Sequence, residues 1–259
     1  MDGVVVVEES CRSHTNNRQA AEALFVQKII QSFNTWAFKR EQPCRPQLLA
    51  SVVAQAVAQR KPVDFVLYWG KGPRSTIAEP ERQCLGYLAS LRSRVSGVYA
   101  PGVAINLVLT DTHATLNGHS PESIAAYFAD VQQEAGKWGF QCHRLGKLTE
   151  LAPSFMEAAN DAVAPETLQP LVESAARWYR GEGTPLDGAL KYYRMNMVEK
   201  RVIAEAFPRA VFVTFNGSDQ RALFPDTLPI FYMYSTKRGT AVKPWFQAAG
   251  DPPALAQSA

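Results

Sequence analysis

VAINLVLTDTHATLNGH, residues 103–119, carries the reading of the fold. Val103 to Leu109 form an apolar, strand-like run suited to burial in a sheet. It ends abruptly in Thr110, Asp111, Thr112, His113, Asn117 and His119. The polar cluster therefore lands at the carboxyl end of a strand, where open α/β sheets bind their ligands. A simple turn needs far less than one carboxylate, two imidazoles and several hydroxyl and amide groups, so the cluster suggests a site.

Reading outward supports a parallel sheet. Upstream, VDFVLYW (63–69) is a second apolar strand, followed by the Gly-Pro loop GKGPR (70–74). Residues 79–95 read as a helix, with Leu85, Leu88 and Leu91 in register, and YAPG (99–102) is a turn. Downstream, Ser120 and Pro121 are start signals for a helix carrying Ile124, Tyr127, Phe128 and Val131. GFQC (139–142) then begins a short strand ending at His143. Strands alternating with helices predict an α/β fold with a parallel sheet.

Two helices precede this unit. Residues 17–38 place Ala21, Leu24, Phe25, Ile29 and Phe33 on one face. Residues 47–59 turn Leu48, Leu49, Val52, Val53 and Val57 inward. Beyond the unit, 152–164 and 165–179 read as helices, GEGTP (181–185) as a flexible joint, and 195–207 as a helix. AVFVTF (210–215) and LPIFYMY (228–234) read as strands. The expected organisation is one α/β domain over 1–250, with a helical N-terminal addition at about 17–59 and a disordered tail at 251–259.

Composition narrows the function classes. A net charge of +3, with no long basic run, argues against nucleic acid as a partner. Cys11, Cys44, Cys84 and Cys142 lie far apart without zinc-ligand spacing, which points to a reducing compartment. No apolar stretch approaches the roughly 20 residues of a membrane span. The expectation is a soluble cytoplasmic protein with small-molecule substrates, no nucleic acid and no membrane, in which a homodimer is allowed.

Three segments supply candidate site residues. In YWGKGPR (68–74), two glycines let backbone approach a ligand, while Lys71 and Arg74 suit phosphate or carboxylate. The loop lacks the P-loop pattern and also reads as a solvated connection with two surface cations. Asp111 and His113, two apart, face the same side of an extended chain. Together with His119 or His143 they could ligate iron or zinc, cap the loop, or move protons near neutral pH. Lys237, Arg238 and Lys243 follow the last strand as an anion pocket or as a charge guard on a sheet edge.

Taken in order, the motifs resemble a family. They comprise the Lys-bearing Gly-Pro loop, the YAPG turn, the strand ending in a polar loop, and the GF-type strand. Glu199-Lys200-Arg201 with Phe207-Pro208 and the ending Lys243-Pro244-Trp245 complete the set. Over roughly residues 60–246 the chain is similar to the isocyanide (isonitrile) synthases of the pyoverdine-cluster and dityrosine-biosynthesis type. Where that family ends in Thr-Pro-Trp-His, this chain has Lys243 and Phe246 around Pro244-Trp245. The resemblance implies a Rossmann-like fold. It also implies an enzyme of secondary metabolism that joins the amine of an amino acid to a carbon of ribulose 5-phosphate, giving an isocyanide.

On this reading Lys71, Asp111 and His113 are catalytic. Arg74, Asn117, His119, Lys237, Arg238 and Lys243 bind substrate, and neither metal nor cofactor is used. The alternatives are a metal-dependent oxygenase or lyase built on Asp111, His113 and His119, and a non-catalytic sugar-phosphate-binding protein.

Overall fold

A computed structural model of the chain describes residues 5–35, 37–70, 76–150 and 163–233. Five strands form a single parallel sheet: β1 (Val63–Trp69), β2 (Val103–Leu109), β3 (Gln141–Arg144), β4 (Val211–Thr214) and β5 (Ile230–Tyr232). Their order is β3-β2-β1-β4-β5, a doubly wound arrangement. β1 pairs with β2 along its whole length, from Val63 opposite Val103 to Trp69 opposite Leu109. On its other edge Phe65 lies opposite Val211. The apolar runs at 63–69 and 103–109 are buried on both faces, which is why they read as continuous rather than alternating.

Side-chain alternation along the strands divides the core in two. Val63, Phe65, Leu67 and Trp69 face one layer, made of α1 (Val5–Phe33), α2 (Pro46–Gln59), α3 (Glu79–Ser96) and α5 (Pro121–Lys137). Val66, Tyr68, Val108 and Phe212 face the other. That second layer holds α6 (Leu145–Glu150), α7 (Pro165–Trp178), α8 (Pro185–Ala206) and a 3-10 turn (Ser218–Leu223). Between β2 and α5 lies α4 (Asp111–Leu116), a helix of less than two turns.

Local chemistry explains the helix starts. Ser120 accepts the Ser123 N–H at 3.3 Å and Pro121 pre-sets the first turn of α5. Thr184 and Asp187 cap α8 reciprocally. The Thr184 hydroxyl accepts the Asp187 N–H at 3.2 Å, and the Asp187 carboxylate accepts the Thr184 N–H at 2.8 Å.

Several expectations are corrected. The helix expected over 195–207 begins ten residues earlier, at Pro185, because the Thr184–Asp187 cap starts it. α1 stops at Phe33 rather than 38: the Asn34 N–H still bonds the Ile30 carbonyl, but the Thr35 N–H turns to the Phe33 carbonyl and leaves the helical pattern. Its buried stripe is Val26, Ile29 and Phe33, with Phe33 edge-on to Phe65 at 5.3 Å and to Phe231 at 5.2 Å. Leu24, expected inside, is 61% exposed. The expected helix at 152–164 falls almost wholly outside the described residues, and the tail at 251–259 lies entirely outside them. No described helix is long and apolar enough to cross a membrane.

Candidate active site

β1 runs on to β2 and β3 in one direction across the sheet, while β4 and β5 extend the other edge. The crevice outside the carboxyl ends of β1 and β4 is thus the switch point, where doubly wound sheets bind ligands. A cavity opens at this position. Tyr68 and Gly70 line it from β1, Thr110 and His113 from the end of β2, and Thr214 to Asn216 from the end of β4. Tyr192 and Asn196 of α8 and Phe224 close it from above. Gly70 adopts φ 86°, a left-handed conformation that costs glycine nothing and lets the chain turn away at the cavity mouth.

The water-accessible volume is about 50 Å³. At roughly 10–15 Å³ per water position, that holds a few waters or one small reacting group. Among the described residues lining it there is no Lys, Arg, Asp or Glu. The charge of the site comes from behind the wall.

That charge is Glu199. Its side chain is 1% exposed, and its Oε2 lies 2.6 Å from His113 Nε2. Its other oxygen accepts the Thr112 hydroxyl at 2.6 Å. A carboxylate only accepts, so the geometry assigns the hydrogen to Nε2 of the imidazole. His113 Nδ1 is buried and has no hydrogen-bond partner among the described residues. The imidazole is boxed by two phenol rings, Tyr192 edge-on at 5.1 Å and Tyr68 at 6.1 Å.

The Tyr68 hydroxyl is also buried without a hydrogen-bond partner among the described residues. Burial, then the negative charge of Glu199 and the neighbouring Tyr192, push its pKa well above the ordinary phenol range. Burial and Glu199 push Tyr192 in the same direction. Both phenols therefore keep their protons at neutral pH and stand as hydrogen-bond donors. A fixed imidazole acceptor beside a protonated phenol is equipment for moving protons on a small bound group.

The structure separates residues that the sequence placed together. Asp111 and His113 do not share a side, because the chain turns into α4 at Asp111 and residues two apart on a helix diverge. His113 faces Glu199, whereas Asp111 accepts the backbone N–H of Gly146 at 2.8 Å, bridging the tips of β2 and β3. Asn117 and His119 occupy the turn after α4 and do not line the cavity. Partial burial lowers the pKa of His119. His143 donates to the Asn106 side-chain carbonyl at 3.2 Å, and desolvation lowers its pKa. Among the described residues, no three His, Cys, Asp or Glu side chains converge to hold a metal ion. The donor set of the oxygenase alternative is thus not assembled. Lys71, Arg74, Lys237, Arg238 and Lys243 lie outside the described residues.

Sequence reasoning missed Tyr192, Asn196 and Glu199 as site residues. Their spacing of four and then three places them on one face of α8, and Glu199 opens the Glu-Lys-Arg segment. Asn196 and Glu199 lie within the helix expected over 195–207, and the Thr184–Asp187 cap is the signal that extends it back over Tyr192.

Neither a protein-family model nor a curated protein matches the chain. Solved structures do match. The PvcA protein from Pseudomonas aeruginosa superposes with a TM-score of 0.58 at 13% identity, covering 81% of this chain and 92% of that one. A tyrosyl-tRNA synthetase from Archaeoglobus fulgidus, complexed with L-tyrosine, gives a TM-score of 0.49 at 14% identity, with coverages of 79% and 63%. The likeness to PvcA shows the fold: an α/β protein with a mostly parallel sheet flanked by helices.

Proposed function

We propose that the chain is a biosynthetic enzyme of the isonitrile-synthase type. In this reading it condenses the amine of an amino acid with the keto carbon of a pentulose phosphate, such as ribulose 5-phosphate, to give an isocyanide. The observation that carries the reading is the buried His113–Glu199 pair, which leaves one imidazole nitrogen unpartnered among the described residues, on a ring 6.1 Å from that of Tyr68 at the switch point. The succession of sequence motifs between Gly70 and Trp245 and the shared fold with PvcA support the family.

Imine formation joins amine to ketone with loss of water. The later steps require protons to leave and return at carbons next to the imine, and the carbon–carbon bonds to the transferred carbon to break, so that the rest of the sugar phosphate departs. His113 is the base for those transfers, and Tyr68 donates to the oxygen of the same group. The cavity is sized for the reacting end of the substrates rather than for their whole length. Lys71, Arg74, Lys237, Arg238 and Lys243 are proposed for the phosphate and the carboxylate, because the described walls of the cavity carry no cation.

The test is incubation of the purified protein with ribulose 5-phosphate and individual aromatic amino acids, read by mass spectrometry and by the infrared band of the isocyanide. Appearance of the isocyanide with loss of the sugar phosphate is the expected result. If neither substrate is consumed with any amino acid, the reading fails. Tight sugar-phosphate binding without turnover would instead make the protein a binding module.

A further inference from the structure

Glu199 does not touch the cavity. Both of its oxygens are already occupied by donors from α4, the His113 ring and the Thr112 hydroxyl, each at 2.6 Å. Its side chain is 1% exposed, and that of His113 is 4% exposed. A carboxylate buried this deeply with both oxygens engaged is poorly placed to take a proton from a substrate. What it controls is the ring in front of it.

An imidazole has two neutral tautomers, and the partner of one nitrogen decides which is populated. Glu199 offers only lone pairs to Nε2. Thr112, on the adjacent residue of the same short helix, donates to the second oxygen and stops the carboxylate from rotating away. The groups facing the imidazole from other elements are Tyr68 of β1 and Tyr192 and Glu199 of α8. Of these, only Glu199 forms a hydrogen bond to a ring nitrogen. Asp111, on the same helix as His113, is committed to Gly146.

We infer that Glu199 is a positioning residue, which locks His113 as the Nε2–H tautomer and holds its Nδ1 lone pair ready for a proton at the cavity. The assignment rests on the reading of this cavity as the reaction site, yet it can be tested without any substrate. A staple that merely joins α4 to α8 would hold the same hydrogen on Nε2, but it would need no second ring nitrogen left bare. A device for proton transfer does.

The experiment is nitrogen NMR of the full-length protein, labelled at histidine, in mildly alkaline buffer. The chain has four histidines, and His113→Gln identifies the signals of interest by their loss. In the unsubstituted protein, His113 should show a protonated Nε2 and a bare Nδ1. Thr112→Val should keep that pattern, since the carboxylate remains. Glu199→Gln, checked by circular dichroism to be folded, should bring the two nitrogen shifts together or exchange them, because an amide can donate as well as accept. Hydrogen on Nδ1 in the unsubstituted protein overturns the inference. So does an unchanged tautomer in folded Glu199→Gln. If Glu199→Gln does not fold, the unsubstituted spectrum decides alone. A correct tautomer in a protein that makes no isocyanide would leave this inference standing and remove the proposed reaction instead.

Discussion

The carboxylate of Asp111 accepts the backbone N–H of Gly146 at 2.8 Å, so the first residue of α4 is tied to the second residue of α6. The same oxygen also accepts the N–H of Thr112 at 3.2 Å. The two neighbouring strand ends β2 and β3 are thereby clamped side by side just beyond the sheet. Asp111→Ala should lower stability by about 1.5–3 kcal/mol, the usual range for hydrogen bonds to a charged group. Asp111→Asn, which keeps an acceptor, should lose less. Urea denaturation of the two variants checks the ranking, and equal losses would show that the bond to Gly146 contributes nothing.

Ile29 and Leu24, expected on one face of α1, are separated by the structure. Ile29 is fully buried, and Leu24 is 61% exposed. Ile29→Ala should cost about 2–5 kcal/mol through lost transfer energy and an unfilled cavity. Leu24→Ala should stay within about 0.5 kcal/mol of the unsubstituted protein. A loss in Leu24→Ala as large as that in Ile29→Ala, in thermal melts, would restore the stripe expected from sequence.

That stripe shows where sequence reading reached its limit. The strands at 63–69 and 103–109 were legible to the residue, because burial on both faces demands mostly apolar runs, broken here only by Asp64 at an exposed position and by Asn106, whose amide donates to the Phe65 carbonyl. His113 was legible as a site residue because a polar cluster follows a strand directly. The direction of its neighbour Asp111 was not, since a helix of under two turns gives no periodicity to read. Glu199 was hidden for another reason. It sits 86 positions away in sequence, on a helix that shares no segment with the strand-end cluster around His113. Only the packing of α8 onto the sheet brings the pair together.

His113 should be needed for turnover and little needed for folding. His113→Gln keeps hydrogen-bonding capacity but cannot titrate. The rate of isocyanide formation should fall by about 10²-fold or more if the imidazole is the base. A normal rate in this variant, with normal melting behaviour, would make the imidazole a bystander.

Tyr68→Phe should behave in the opposite way. A buried hydroxyl without a partner carries a desolvation penalty of about 1–3 kcal/mol. Its removal should leave the melting temperature unchanged or raise it, while turnover falls. A clear loss of stability would mean that the hydroxyl has a partner in the folded protein.

Alkaline pH should unfold the protein through its phenols. Burial raises the pKa of Tyr68, Tyr192, Tyr87 and Tyr99 above the ordinary value of 10.0. A group whose folded pKa is raised contributes its full stability below the unfolded value and loses it as pH climbs through the folded one. The melting temperature should therefore hold up to about pH 10 and fall beyond it. Tyrosinate absorbance should rise together with loss of circular dichroism. Full ionisation of all tyrosines in a still-folded protein would contradict the buried placement.

The pairing of Phe65 with Val211 joins parts of the chain made far apart in time. During synthesis, β1, β2 and β3 emerge first and zip together through short crossovers, leaving one apolar flank of β1 bare. A bare flank of that kind invites the wrong neighbour until β4 arrives to cover it. The imidazole of His113 belongs to the early part and its carboxylate partner to the late part. A chain in which only β1, β2 and β3 have paired therefore lacks the His113–Glu199 contact. The contact is completed by the same late part of the chain that covers the bare flank of β1.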